Sequence, residues 1–184
     1  MNIKTEKFVF KKLEEKNLPL FFEWVQSPHI AKWWKSDVYK EFAQKYNPIK
    51  LTENYEVPFF IYADEKPIGY IQYYFAGKAD DGWWVKYGEQ EAGVVGMDIV
   101  IGEADYIGKG YGSLIIKKFI DKIFQETDAP KIIIDPDPKN VAAIRCYEKV
   151  GFKKVKELDA PGFFDVEPGK LLLMELEKKN LKKN

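Results

Sequence analysis

Apolar residues recur along the chain with two spacings. Short apolar or alternating runs bounded by turn residues mark strands, and recurrence every three to four positions marks amphipathic helices. FVFKKL (8–13) reads as a first strand. NLPLFFEWVQ (17–26) carries a helical apolar face with Asn17 as its N-cap, and Ser27-Pro28 then opens a second helix, PHIAKWWK. Residues 37–47 are expected to be helical. FFIYAD (59–64) and PIGYIQYYFA (67–76) are two strands joined by a hairpin at EKP. GVVGMDIVIG (93–102) is strand-like, and IIKKFIDKIF (115–124) is a helix with Ile115, Ile116, Phe119, Ile120, Ile123 and Phe124 on one face. KIIID (131–135) reads as a buried strand. Asp137-Pro138 is expected to cap the helix NVAAIRCYEKV, and FKKVKEL and GKLLLMELE close the chain as strands. Strands first, then β-α-β-α-β-β, predict a mixed α/β or α+β sheet with helices on both faces.

Composition narrows the function. The 184 residues suit one domain with a sizeable core, and no repeat or low-complexity linker divides them. Lys plus Arg equals Asp plus Glu, 29 against 29, so no basic field points to nucleic acid. The acids cluster instead, at Asp80, Asp81, Glu89 and Glu91 and again at Asp135 and Asp137. The lysine-rich end (178–184) reads as a frayed, solvated tail. Cys146 is the only cysteine, which excludes an intrachain disulfide, and His29 is the only histidine, which excludes a multi-histidine metal site. No segment is apolar enough to span a bilayer, and MNIKTEKFVF lacks a signal-peptide core. The expectation is a cytoplasmic protein with no membrane or nucleic-acid partner, no metal, and at most a weak homodimer.

Three stretches carry chemistry. Asp80-Asp81-Gly82-Trp83-Trp84 sets carboxylates beside indoles where no helix or strand pattern runs. Acids solvate and tryptophans bury, so a bland loop has little use for both, and the pairing raises the question of a ligand that wants a negative rim and an aromatic face together. Tryptophan is more often structural, and one member of each Trp-Trp pair is expected to be buried. Ile107-Gly108-Lys109-Gly110-Tyr111-Gly112 leaves a strand and opens a helix. Such a loop offers backbone N–H groups and a positive helix end to a pyrophosphate, though it also serves as a tight turn. It lacks the Gly-Lys-Ser/Thr of a Walker loop and the early βαβ unit of a Rossmann fold. Asp98 interrupts the apolar strand between Met97 and Ile99, which is costly unless the carboxylate is used or satisfied.

DPDPKNVAAIRCYEKVGF, taken with GKGYG upstream, resembles the GNAT superfamily of acetyl-CoA-dependent N-acetyltransferases. SPHIAKWW, PIGYIQYY, DGWW and GVVGMD extend the resemblance over almost the whole chain, to the aminoglycoside 6′-N-acetyltransferases. A group that acetylates hydroxylysine-type amines in siderophore synthesis is a less similar relative. The resemblance implies the GNAT fold: a mixed, mostly antiparallel sheet with a splayed central strand pair and helices on both faces. It implies acetyl-CoA as co-substrate and direct attack by an amine in a ternary complex.

The resemblance also implies roles. Gly108, Lys109, Gly110, Tyr111, Gly112 and Ser113 would hold the CoA pyrophosphate, although the usual leading Gln or Arg is Ile107 here. Asn140, Ala143 and Tyr147 would face the pantetheine arm, with Tyr147 meeting the departing sulfur. A backbone N–H near Ile99 or Val100 would polarise the thioester carbonyl, and Asp98 would accept or steer the amine proton. Asp81 and Trp84, Trp33 or Trp34, Gln72, Asp98, Asp135 and Glu167 would line the acceptor site. Each has an ordinary alternative: Tyr147 as a core aromatic, Asp135 as a turn former, Gln72 as a cross-strand polar residue. Cys146 and His29 are expected to be structural. Two other readings stand beside the aminoglycoside one: acetylation of another amine (a siderophore precursor, a polyamine, a protein N-terminus), and a non-catalytic acetyl-CoA-binding module.

Overall fold

A computed structural model describes residues 7–34, 56–76, 93–160 and 169–180. The expected helix at 37–47 therefore lies outside the described residues, as do Asp81, Trp84 and Glu167. Seven strands form one sheet: β1 (Phe8–Lys12), β2 (Glu56–Ala63), β3 (Lys66–Phe75), β4 (Val95–Ile101), β5 (Lys131–Ile134), β6 (Lys153–Ala160) and β7 (Gly169–Glu177). Their order across the sheet is β1-β2-β3-β4-β5-β7-β6. All neighbours are antiparallel except β4 and β5.

Helices α1 (Leu18–Gln26) and α2 (Pro28–Ala31) cover one face, and α3 (Tyr111–Glu126) and α4 (Val141–Val150) cover the other. The alternation along the strands assigns each side chain to one of these layers. Phe60, Tyr70 and Val100 pack with Phe21, Trp24, Val25 and Ile30 on the α1 side. Phe59, Ile71, Tyr73, Val95 and Met97 pack with Ile115, Ile116, Phe119, Ile120 and Ile123 on the α3 side. The helical apolar stripe expected at 115–124 is the buried face of α3, which begins four residues earlier, at Tyr111.

Local chemistry departs from expectation at four points. Asn17 does not cap α1 with its side chain, because a 3-10 turn (Glu15–Asn17) precedes the helix and the Asn17 Oδ1 accepts the Glu14 N–H at 3.0 Å. Asp137 does not cap α4 either. Its Oδ1 accepts the Lys139 N–H at 2.7 Å in an Asx turn, and Asn140 caps the helix by accepting the Ala143 N–H at 3.2 Å. The β2–β3 hairpin turns at Asp64 and Glu65 (φ 46° and 76°), so only the first residue of EKP lies in the turn. Lys66 and Pro67 belong to β3, and the register shifts between Ile61 and Tyr62 where Pro67 has no N–H to give. At the C-terminus, Lys178–Asn180 form a 3-10 turn rather than part of a frayed tail, tied by the Lys178 N–H to the Pro130 carbonyl at 2.9 Å.

The β4–β5 pairing is short. Val95 pairs with Ile132 and Gly96 with Ile133, and no further pair joins these strands. Gly96 pairs with Tyr74 on its other side, and a Cβ there would lie 2.2 Å from the Tyr74 ring. Replacing Gly96 by Ala should therefore cost about 1–3 kcal/mol of stability through overpacking. In a Tyr74→Ala background the same change should cost clearly less, read by chemical denaturation as a double-mutant cycle. Additive losses would show that the Tyr74 ring is not what Gly96 makes room for.

Candidate active site

Beyond Gly96, β4 continues to Ile101 without a β5 partner. This divergence opens a cleft through the sheet. The backbone of Ile99 and Val100, expected to polarise a carbonyl, lies on this diverging stretch. Val100 is buried toward α1, and Ile99 packs on the α3 side.

Asp98 lies on the same stretch, directly opposite Gln72 in the β3–β4 register. The Gln72 Nε2 donates to Asp98 Oδ2 at 2.7 Å, and the Tyr70 hydroxyl donates to Gln72 Oε1 at 2.5 Å. Asp98 as a residue keeps some exposed surface, but its carboxyl group is wrapped by protein. Burial pushes its pKa above the usual carboxylate range, and the Gln72 hydrogen bond offsets part of that rise. Such a carboxylate binds a proton more readily than a solvated one, as a proton acceptor near neutral pH requires.

The glycine loop lies between β4 and α3. Gly108 and Gly110 adopt φ values of 74° and 86°, a region that side chains disfavour, and a Cβ at either would meet nothing within 4 Å. The glycines thus serve the backbone conformation and leave open space above it. Gly110 is the N-cap of α3, whose first-turn amides have no preceding carbonyl to bind. Lys109 and Ile107 are exposed. These features fit a pyrophosphate: first-turn amides with no intrahelical carbonyl partner, a positive helix end, and room. The Ser113 hydroxyl lies 3.4 Å from the Cys146 Sγ, so it is engaged by α4, and a Cβ on Gly112 would lie 3.2 Å from the same sulfur. Cys146 is partly buried, and burial pushes its thiol pKa up, as befits an inert contact between the two helices.

On α4 the Asn140 Oδ1 is used by the cap, which turns the rest of its carboxamide away from the helix. Ala143 is half-buried beside it. One turn on, Tyr147 is buried against Phe152, their ring centroids 5.9 Å apart. Burial drives its phenol pKa strongly upward, and Cys146, Asp98 and Asp135 add to the rise. Tyr147 is therefore a protonated donor at any physiological pH, and it senses both carboxylates. Asp135 follows β5 directly, at the end where β5 leaves β4.

Trp34 turns its ring edge toward Tyr70, 6.3 Å between centroids, whereas Trp33 carries the Lys32 ammonium 4.6 Å above its ring. Both are half-buried. His29 is structural: its Nε2 lies 3.1 Å from the Gly102 carbonyl. The structure thus groups Gln72, Asp98, Asp135 and Tyr147 around the divergence of β4 and β5, with the glycine loop at the start of α3.

Tyr70 and the Trp24–Glu103–Lys66 group were not legible as site features. The Trp24 Nε1 donates to Glu103 Oε1 at 3.1 Å, and Lys66 holds the Glu103 carboxyl below its usual pKa, which anchors α1 to the start of the glycine loop. The one signal for Tyr70 is its spacing of two from Gln72, which puts both on one strand face. A hollow lined by Pro130, Lys131, Glu177, Lys178 and Lys179 lies at the opposite end of β5 and holds none of these residues. Among the described residues, no group of His, Cys, Asp and Glu could hold a metal ion, and no helix is long and apolar enough to cross a membrane.

Comparison with known proteins agrees with this layout. Residues 14–160 match the acetyltransferase (GNAT) domain. The aminoglycoside N(6′)-acetyltransferase type 1 of Klebsiella pneumoniae is 33% identical over 162 residues, 84% of this chain and 80% of that protein. The crystal structure of aminoglycoside acetyltransferase AAC(6′)-Ib in complex with coenzyme A and kanamycin superposes with a TM-score of 0.82 at 30% identity, covering 94% of this chain and 96% of that one. The lysine N-acyltransferase MbtK of Mycobacterium tuberculosis is more distant, 25% identical over 74% of this chain and 64% of its own length. The chain belongs to the GNAT acetyltransferase family, of which the aminoglycoside N(6′)-acetyltransferases are also members.

Proposed function

We propose that this protein transfers the acetyl group of acetyl-CoA to the 6′-amine of an aminoglycoside, in the cytoplasm where acetyl-CoA is made. The observation that carries the reading is Asp98, held by Gln72 at the divergence of β4 and β5 and set in one electrostatic field with Tyr147. The similarity to aminoglycoside acetyltransferases over most of the chain supports the acceptor.

Acetyl-CoA supplies an acetyl thioester; its carbonyl carbon bonds to the amine nitrogen as the C–S bond breaks. The remaining roles fall to the chain. The amides of the loop from Gly108 to Gly112 hold the pyrophosphate, and the Asn140 carboxamide lies along the arm. The β4 backbone at Ile99 or Val100 donates to the carbonyl oxygen as charge builds there. Asp98 takes the proton that the ammonium must lose, and the Tyr147 hydroxyl donates to the departing sulfur. Asp135, with Asp81, Trp84, Glu167 and one of Trp33 and Trp34, receives the other ammonium groups and ring faces. A monocationic amine would need one carboxylate; the presence of both Asp98 and Asp135 near Tyr147 favours a polycation.

Four measurements test the proposal. Turnover of kanamycin- or tobramycin-type amines, followed by thiol release, should be efficient, with an acceptor KM that rises steeply with ionic strength. No turnover of these amines, with salt-indifferent acetylation of a monocationic amine, would overturn the aminoglycoside reading. Gly110→Val should weaken CoA binding by about tenfold or more, roughly 1.4 kcal/mol, in calorimetric titration of the folded variant; unchanged affinity would misplace the cradle. Asp98→Asn should cut kcat by about 10²-fold or more, and Tyr147→Phe should lower kcat with little change in either KM. Asp98 must be ionised to act, so wild-type kcat/KM should fall as pH drops through a pKa above the usual carboxylate range.

A further inference from the structure

We infer that Tyr70 is a positioning residue for the proton acceptor: its buried hydroxyl pins the oxygen end of the Gln72 carboxamide, so that the NH₂ end stays on one Asp98 oxygen and the other is open to the amine. The inference rests on the proposed role of Asp98.

The donor and acceptor capacities force the arrangement. An ionised carboxylate only accepts, so the Gln72 end that meets Asp98 must be its NH₂. The Oε1 must then face Tyr70, whose hydroxyl donates to it at 2.5 Å. The carboxylate selects the NH₂ end, and the Tyr70 hydroxyl satisfies the oxygen left at the other end and so holds the carboxamide in place. With Tyr70 in place, Gln72 Nε2 occupies Asp98 Oδ2 at 2.7 Å. Oδ1 is left as the oxygen that faces an incoming ammonium, and the transferred proton lands there.

The surroundings make this orientation consequential. Tyr70 is only 2% exposed, so water does not readily substitute for its hydroxyl. The α1 and α2 side chains packed around it are apolar: Phe21, Trp24, Val25 and Ile30. The titratable group that senses Asp98 comes from elsewhere, namely Tyr147 on α4, which also senses Asp135 after β5. Gln72 is thus the neutral donor that offsets the burial of Asp98. A Gln72 released by Tyr70 would donate to the carboxylate less firmly, offset less of its burial and raise its proton affinity further.

Tyr70→Phe keeps the ring that packs on Phe21 (4.8 Å) and Trp34 (6.3 Å), so the fold should persist. The Asp98 carboxyl can be titrated by ¹³C NMR in the free protein, its signal assigned by its loss in Asp98→Asn. In Tyr70→Phe the Asp98 pKa should rise by roughly half a unit or more, part of what a hydrogen bond to a charged group contributes. The acid limb of kcat/KM should move up by the same amount, with the KM for acetyl-CoA unchanged. In a Gln72→Ala background, Tyr70→Phe should shift neither quantity further. An Asp98 pKa unmoved by Tyr70→Phe, a loss of kcat equal at every pH, or an undiminished shift in the Gln72→Ala background would each overturn the inference. If Asp98→Asn keeps full activity, the proposed role of Asp98 fails, while the NMR titration still decides whether Tyr70 holds Gln72.

Discussion

Everything at the candidate site follows from a strand pairing that stops early. β4 and β5 share Val95–Ile132 and Gly96–Ile133 and then part. A sheet normally has no opening through it, because each buried backbone group is taken up by a neighbour. Here β4 runs on for five residues past Gly96 with β3 on one side only. Its free edge is what a thioester can approach. The parting is tolerated because both faces are sealed independently, by α1 and α2 on one side and α3 and α4 on the other.

That layout divides the work between the two faces. On the α1 side, Tyr70, Gln72 and Asp98 form a graded polar line within an otherwise apolar layer. On the α3 side, the glycine loop lies at the start of α3 and Tyr147 midway along α4, two helices packed against each other. Neither set is complete alone. The Asp98 carboxylate and the Tyr147 phenol, the proton acceptor and donor of the proposed reaction, are kept on opposite sides of the sheet and meet only where the strands part. The shared field that raises the Tyr147 pKa shows how near that meeting is.

The sequence displayed some of this plainly. Asp98 breaks an apolar strand, and the glycine loop interrupts a strand–helix transition, so both stand out against their local pattern. The helices and strands of the described residues were legible for the same reason, since periodicity is a local property. The insertion of β7 between β5 and β6 was not, because strand order depends on partners far apart in the chain. Tyr70 was hidden differently: an aromatic residue in an apolar strand looks like core, and it is core, apart from one oxygen atom. The caps show the limit most clearly. Asn17 and Asn140 both precede helices, yet only Asn140 caps with its side chain, because a 3-10 turn presents Asn17 with the Glu14 N–H first.

The contact of Gly112 and Ser113 with Cys146 has a further consequence. It joins the start of α3 to the middle of α4, so the glycine loop and Tyr147 are carried by two helices in direct contact. On the proposed reading, the span between them is a fixed gauge for the cofactor's flexible arm. A carrier thioester with a shorter arm would dock its phosphates and present its carbonyl short of the β4 edge. The enzyme would then select its acyl donor by reach, with no pocket shaped to the acyl group itself.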